Sequence, residues 1–146
     1  MSNPSSAAYS GQCFCGAVRI EAQGAPFAMG YCHCGDCRAW AAAPVNGFTL
    51  WNAGSVQVTA GAEHLATYKK TDQSHRKYCK KCGGHVMTDH PGGGFVDVYA
   101  AVLPKLAFEP QLHLHYGSTV LRIADGLPKY RDLPDQFGGS GVEVDE

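Results

Sequence analysis

Hydrophobic and polar residues alternate in short bursts along this chain. Val18, Ile20 and Ala22 are separated by Arg19 and Glu21, Phe48 and Leu50 flank Thr49, and Val56 and Val58 flank Gln57. Farther on, Asp97 and Tyr99 separate Val96, Val98 and Ala100, while His113 and His115 separate Leu112, Leu114 and Tyr116. A period of two puts alternate side chains on one face, which predicts half-buried strands. One stretch reads as helix: Cys34 to Ala43, rich in alanine and halted by Pro44, whose ring cannot continue the turn. The pattern predicts a mainly β chain with short helical segments.

Composition narrows this. A length of 146 residues suits one domain. Charged residues make up 17%, below the roughly 25% of an average soluble domain, and 18 Gly with 8 Pro exclude long-helix, coiled-coil and collagen-like architectures. Leu, Ile, Val and Phe together supply only 28 residues, so the core is small and something else should help to hold it. No segment reaches the roughly 18 apolar residues of a membrane helix. The first ten residues have neither the basic nor the apolar stretch of an export signal, which points to a cytoplasmic protein. The expected layout is a loose lead-in over residues 1–9, a domain over 10–135 and a loosely draped Gly-rich acidic tail over 136–146.

In a reducing compartment cysteines are more often metal ligands or catalysts than disulfides. The seven here are grouped as Cys13-x-Cys15, Cys32-x-Cys34-x-x-Cys37 and Cys79-x-x-Cys82. A C-x-x-C turn lets two thiolates converge on one ion, and Gly16, Gly35, Gly83 and Gly84 relax the backbone around these turns. Zinc suits such a donor set, since it accepts thiolates at four tetrahedral corners and needs no redox chemistry. The natural partition is two Zn2+ per chain. Cys13, Cys15, Cys79 and Cys82 would close one structural site. Cys32, Cys34 and Cys37 would hold a second ion by three corners, leaving one for water or substrate. Reduced, buried cysteines without metal, redox dithiols, an iron–sulfur cluster and closure of the second site by His33 or a distant histidine are the alternatives.

Arg38 follows a ligand of the open site and is a pocket candidate, suited to bidentate capture of a carboxylate. Acid–base candidates are His33, Asp36, His85, His113 and His115. Lys69, Lys70, Arg76, Lys77, Lys80 and Lys81 crowd around Cys79, but a solvated basic loop explains them. With a formal net charge of −1 and few aromatic neighbours, nucleic acid is a poor fit as partner.

Three runs carry a resemblance: Gly11-Gln12-Cys13-Phe14-Cys15-Gly16-Ala17-Val18, Cys32-His33-Cys34-Gly35-Asp36-Cys37-Arg38 and Tyr78-Cys79-Lys80-Lys81-Cys82-Gly83. With Phe108-Glu109-Pro110, His113 and Ala124-Asp125-Gly126-Leu127-Pro128, the chain over roughly residues 10 to 135 resembles the glutathione-dependent formaldehyde-activating enzyme and centromere protein V family. The resemblance implies a zinc-bearing β-tent-like fold of two antiparallel sheets and the same four-plus-three ligand partition. It also implies a carbon–sulfur lyase that joins formaldehyde to glutathione, with a small thiol as partner. The chain departs from that pattern at Thr119-Val120, Ala39 to Ala43 and Gly84-His85, all of which can reshape a pocket. The alternative reading is a non-catalytic zinc module binding glutathione, a thiol metabolite or a protein. Oligomeric state stays open.

Overall fold

The computed structural model describes residues 7–146, so the lead-in expected over 1–9 falls mostly outside the described residues. In chain order the elements are β1 (Ala8–Gln12), β2 (Arg19–Gln23), β3 (Ala28–Cys32), α1 (Gly35–Ala41), β4 (Asn46–Asn52), β5 (Val56–Ala60), β6 (Leu65–Thr71), β7 (Ser74–Cys79), β8 (His85–His90), β9 (Phe95–Tyr99) and β10 (Leu112–Leu114). The fold is mainly β, with its strands in two sheets and one α-helix among the described residues.

Two compact units divide the chain. The first comprises Met1–Ala28 and Thr49–Phe108, the second Met29–Phe48 and Glu109–Glu146, and β4 carries the chain from one into the other. In the first unit β1, β2 and β5 form an antiparallel three-stranded sheet, and β6, β7, β8 and β9 follow one another as antiparallel neighbours. Their inward positions build the core: Val18, Ile20, Ala22, Val86, Val98 and Leu103 are all buried around Trp51. The indole of Trp51 donates to Thr49 Oγ1 at 2.9 Å, and that hydroxyl donates to Val98 O at 2.6 Å, so the buried ring leaves no unpaired N–H. Cys13 and Cys79 belong to the same apolar cluster.

The second unit is built differently. Here β3 and β10 run parallel, pairing Gly30 with Leu112, Tyr31 with His113 and Cys32 with Leu114, a departure from the two antiparallel sheets expected. The seventy-nine residues between these strands supply the long crossover that a parallel pair requires. A Cβ on Gly30 would lie 2.3 Å from Leu112 O, so the close approach admits only glycine. On its other side β10 bonds to residues 128–132, through His113 N to Pro128 O at 2.9 Å and Tyr130 N to His113 O at 2.9 Å. The acidic end is not loosely draped: Arg131 N donates to Val142 O and Val144 N to Lys129 O, both at 2.8 Å.

Two further expectations change. The basic segment from Lys69 to Lys81 is mostly the β6–β7 hairpin, with Arg76 buried. His113, placed by alternation on the outer face, is fully buried, because β10 is covered on both faces. The helix forms as α1, ends at a left-handed Ala42, and is shorter than the pattern suggested.

Candidate metal centres

The four cysteines of the first unit converge from two turns. After β1, Gly16 N donates to Cys13 O at 3.1 Å, and after β7, Gly83 N donates to Cys79 O at 2.8 Å. Gly83 adopts φ +76, a left-handed turn that lets Cys82 fold back towards Cys79. The sulfur atoms of Cys13, Cys15, Cys79 and Cys82 all lie within 4.8 Å of one another. Cys13 Sγ and Cys15 Sγ are 3.7 Å apart, and Cys15 Sγ and Cys79 Sγ 3.9 Å. A tetrahedral zinc with Zn–S near 2.3 Å separates neighbouring sulfurs by about 3.8 Å, so the spacing fits that ion. It does not fit a disulfide, whose sulfurs are about 2 Å apart, and all seven thiols are free.

Backbone N–H groups face these sulfurs. Val18 N to Cys13 Sγ, Lys81 N to Cys79 Sγ and Gly84 N to Cys82 Sγ are each 3.3 Å, an arrangement that favours thiolate charge. Burial opposes ionisation of Cys13, but the Val18 N–H and the Cys79 and Cys15 thiols outweigh it and bring the thiol down to about 6.

Cys32, Cys34 and Cys37 form the second cluster, again with sulfurs within 4.8 Å of one another. Cys32 ends β3, and Cys34 caps α1, its sulfur accepting from Cys37 N at 3.2 Å. The Cys32 and Cys37 thiols beside Cys34 push it down to about 2, and the same crowding pushes Cys32 up. No fourth Cys, His, Asp or Glu joins these three among the described residues. The donor set therefore fits a metal held by three thiolates with one corner left over.

The candidate histidines behave in different ways. His33, between two of these cysteines, turns its ring to His113 and Thr119 instead of joining the sulfurs as a ligand. Its Nε2 lies 2.8 Å from His113 Nδ1, and its Nδ1 2.8 Å from Thr119 Oγ1. His113 Nε2 in turn lies 2.8 Å from Asp125 Oδ2, and Lys129 Nζ 2.6 Å from Asp125 Oδ1. His33, His113 and Lys129 are all buried. Burial, with the neighbouring His113 and Arg38 adding to it, lowers His33 to about 4, so it is neutral near pH 7. Burial would raise Asp125, but its bonds from Lys129 and His113 hold it well below the usual carboxylate range.

Asp36 lies in the first turn of α1, and His115 sits in a left-handed conformation at the start of the Tyr116–Ser118 turn. His85 opens β8 in the first unit. Arg38 spends its guanidinium on carbonyls, Nε to His33 O at 3.0 Å and Nη2 to Ser118 O at 3.2 Å, and so clamps the cysteine loop. Thr119, Asp125 and Lys129 carried no metal or acid–base signal in the sequence. Asp125 stood only within the run Ala124-Asp125-Gly126-Leu127-Pro128, and Thr119 only among the departures from the family pattern.

These features define a β-rich domain with two thiol clusters, one of four donors and one of three, each able to hold a metal. The chain belongs to the glutathione-dependent formaldehyde-activating enzyme family, whose model matches residues 8–118. A Rhodobacter sphaeroides protein of known crystal structure shares the fold at 23% identity, with a TM-score of 0.57 over 67% of this chain and 90% of that one.

Proposed function

We propose that the protein is a zinc-dependent carbon–sulfur lyase acting on a small-thiol adduct, with glutathione and formaldehyde as the pair the family name indicates. The observation that carries this reading is the three-thiol cluster without a fourth protein donor among the described residues. In this reading Cys13, Cys15, Cys79 and Cys82 hold a structural zinc, and Cys32, Cys34 and Cys37 hold a second. Zinc there would supply Lewis-acid charge that lowers the pKa of a bound thiol. The chain's own part is to fix three sulfurs on a loop clamped by Arg38 and to leave the fourth corner to the incoming thiol. In the synthetic direction a C–S bond forms to the aldehyde carbon, the C=O π pair moves to oxygen, and the thiol proton ends on that oxygen.

No helix among the described residues is long and apolar enough to cross a membrane. A cytoplasmic setting, where glutathione is abundant and thiols stay reduced, belongs to the same proposal. One observation favours a second reading, a zinc module that binds a thiol without turning it over. His33, which stands between two of the cysteines, and His113, bonded to it, are both committed to hydrogen bonds within the fold and are not offered to a substrate.

The test is zinc per chain under reductant together with exchange between free formaldehyde and its glutathione adduct, followed by NMR. Lyase function predicts two zinc ions, accelerated exchange, and a Cys37→Ser variant with one zinc and no acceleration. Two zinc ions with exchange no faster than in buffer would leave the binding module.

A further inference from the structure

A line of hydrogen bonds, buried at its two histidines, runs Asp125–His113–His33–Thr119, and its direction can be assigned. The Asp125 carboxylate accepts from Lys129 Nζ and Leu127 N on one oxygen, so the other oxygen accepts as well. His113 Nε2 must therefore carry the hydrogen of that 2.8 Å bond. In a neutral ring this leaves His113 Nδ1 as acceptor, so His33 Nε2 carries the hydrogen between them. His33 Nδ1 is then a bare acceptor, and it takes the Thr119 hydroxyl hydrogen, for which Leu121 O at 2.8 Å is the competitor. Aromatic neighbours hold both imidazoles. Tyr31 stacks on His113 at 4.9 Å, and Tyr116 meets His33 and His113 edge-on at 4.9 and 5.5 Å.

His33 is thus pinned at every polar atom. Its N–H donates to Leu114 O at 2.9 Å, its carbonyl accepts from Arg38 Nε, and both ring nitrogens are engaged. This is the residue between Cys32 and Cys34. Fixing it fixes where both sulfurs project before any metal arrives.

We propose that His113, Asp125 and Thr119 are positioning residues of the three-cysteine site, which through His33 hold its sulfurs in the three-cornered arrangement a metal requires. The proposal rests on the reading that these cysteines bind a metal, and it is independent of whether the bound metal turns substrate over. Outer partners that orient metal ligands are worth about 10–100-fold in affinity. The same loss is expected here, transmitted through the peptide between two ligands.

Cobalt(II) substitution tests it, because thiolate-bound cobalt has charge-transfer and d–d bands that report ligand geometry, and the four-cysteine site is an internal reference. Wild-type protein should load two cobalt ions in separable steps. In His113→Phe and Thr119→Val the second step should weaken about 10–100-fold with shifted d–d bands, while the first step keeps its affinity and spectrum. Thr119→Ser, which keeps the hydroxyl, should restore the second step. A two-step wild type whose second step is unchanged in both His113→Phe and Thr119→Val overturns the proposal alone. If His113→Phe also loses the first step it has unfolded, and Thr119→Val against Thr119→Ser then decides. A wild type that loads one cobalt, or whose second step survives Cys37→Ser, overturns the metal reading and the proposal with it.

Discussion

The two cysteine clusters rest on opposite kinds of support. In the first unit Cys13 and Cys79 are buried among Val18, Trp51, Val86 and Val98, and their sulfurs meet backbone N–H groups and the neighbouring cysteine thiols. In the second unit the fully buried residues include the polar His33, His113 and Lys129, linked through Asp125 by directional bonds. An apolar support depends on volume and tolerates changes that conserve it. A hydrogen-bonded support depends on each partner, because a buried group left without one keeps its full desolvation cost. One site is built to persist, the other to hold a particular geometry.

Removing one cysteine from each cluster should separate them most widely. Cys79→Ser takes a sulfur out of the core cluster, and metal binding at such sites contributes apparent energies of about 10–16 kcal/mol to folding. It should abolish the cooperative melting of the first unit as read by Trp51 fluorescence. On the proposed two-zinc reading, Cys37→Ser should lower zinc per chain from two to one and leave that transition within a few degrees of its original midpoint. Equal collapse in both variants would break the comparison.

Substitutions in the two supports should rank next. Trp51→Ala empties the centre of the apolar cluster and should cost about 3–5 kcal/mol in denaturant unfolding. Trp51→Phe keeps most of the volume, loses the N–H to Thr49, and should cost about 1–2 kcal/mol. In the second unit Lys129→Met keeps length but removes the ammonium from Asp125. Because the Asp125 side chain is 27% exposed and water can replace the lost partner, the cost should be nearer 1–3 kcal/mol. A Lys129→Met protein as stable as wild type would mean that volume, not bonding, supports this region too.

The same contrast explains what could be read from the chain. Strands β2, β4, β5 and β9 showed themselves because branched or aromatic residues alternate with polar ones along them, although β4 and β9 bury residues of both faces. The β6–β7 hairpin did not, since Tyr68, Lys69 and Lys70 are exposed and only its ladder makes it a strand. Strand β3 buries Ala28, Gly30 and Cys32, residues too small or too ambiguous to carry an apolar signal. The four-plus-three partition was legible because C-x-C and C-x-x-C turns are local, and the structure gathers those sets of sulfurs. The line through His33 and His113 was not. Its members lie eighty residues apart, and a period of two assumes that one strand face meets water, which β10 does not do.

The finest test compares histidines. His90, in the first unit, packs its ring on Phe95 at 4.7 Å and approaches Gln73 O at 3.1 Å through Nδ1. Burial is the largest influence on it and lowers its pKa, the Gln73 carbonyl opposing. A lowered histidine pKa means that the unfolded chain takes up the proton first as pH falls. The stability tied to His90 is therefore fully present above about 6.5 and is lost as pH drops through that value towards the folded one. His33 is held farther down, at about 4, inside a closed set of bonds. Ring resonances followed by NMR should show His90 titrating below the ordinary histidine midpoint while His33 stays neutral throughout pH 7 to 5.5. Over that range His90→Asn should melt with a shallower dependence on pH than wild type. If His33 titrates alongside His90, water reaches the polar interior, and the two regions differ less in their support than their bonding indicates.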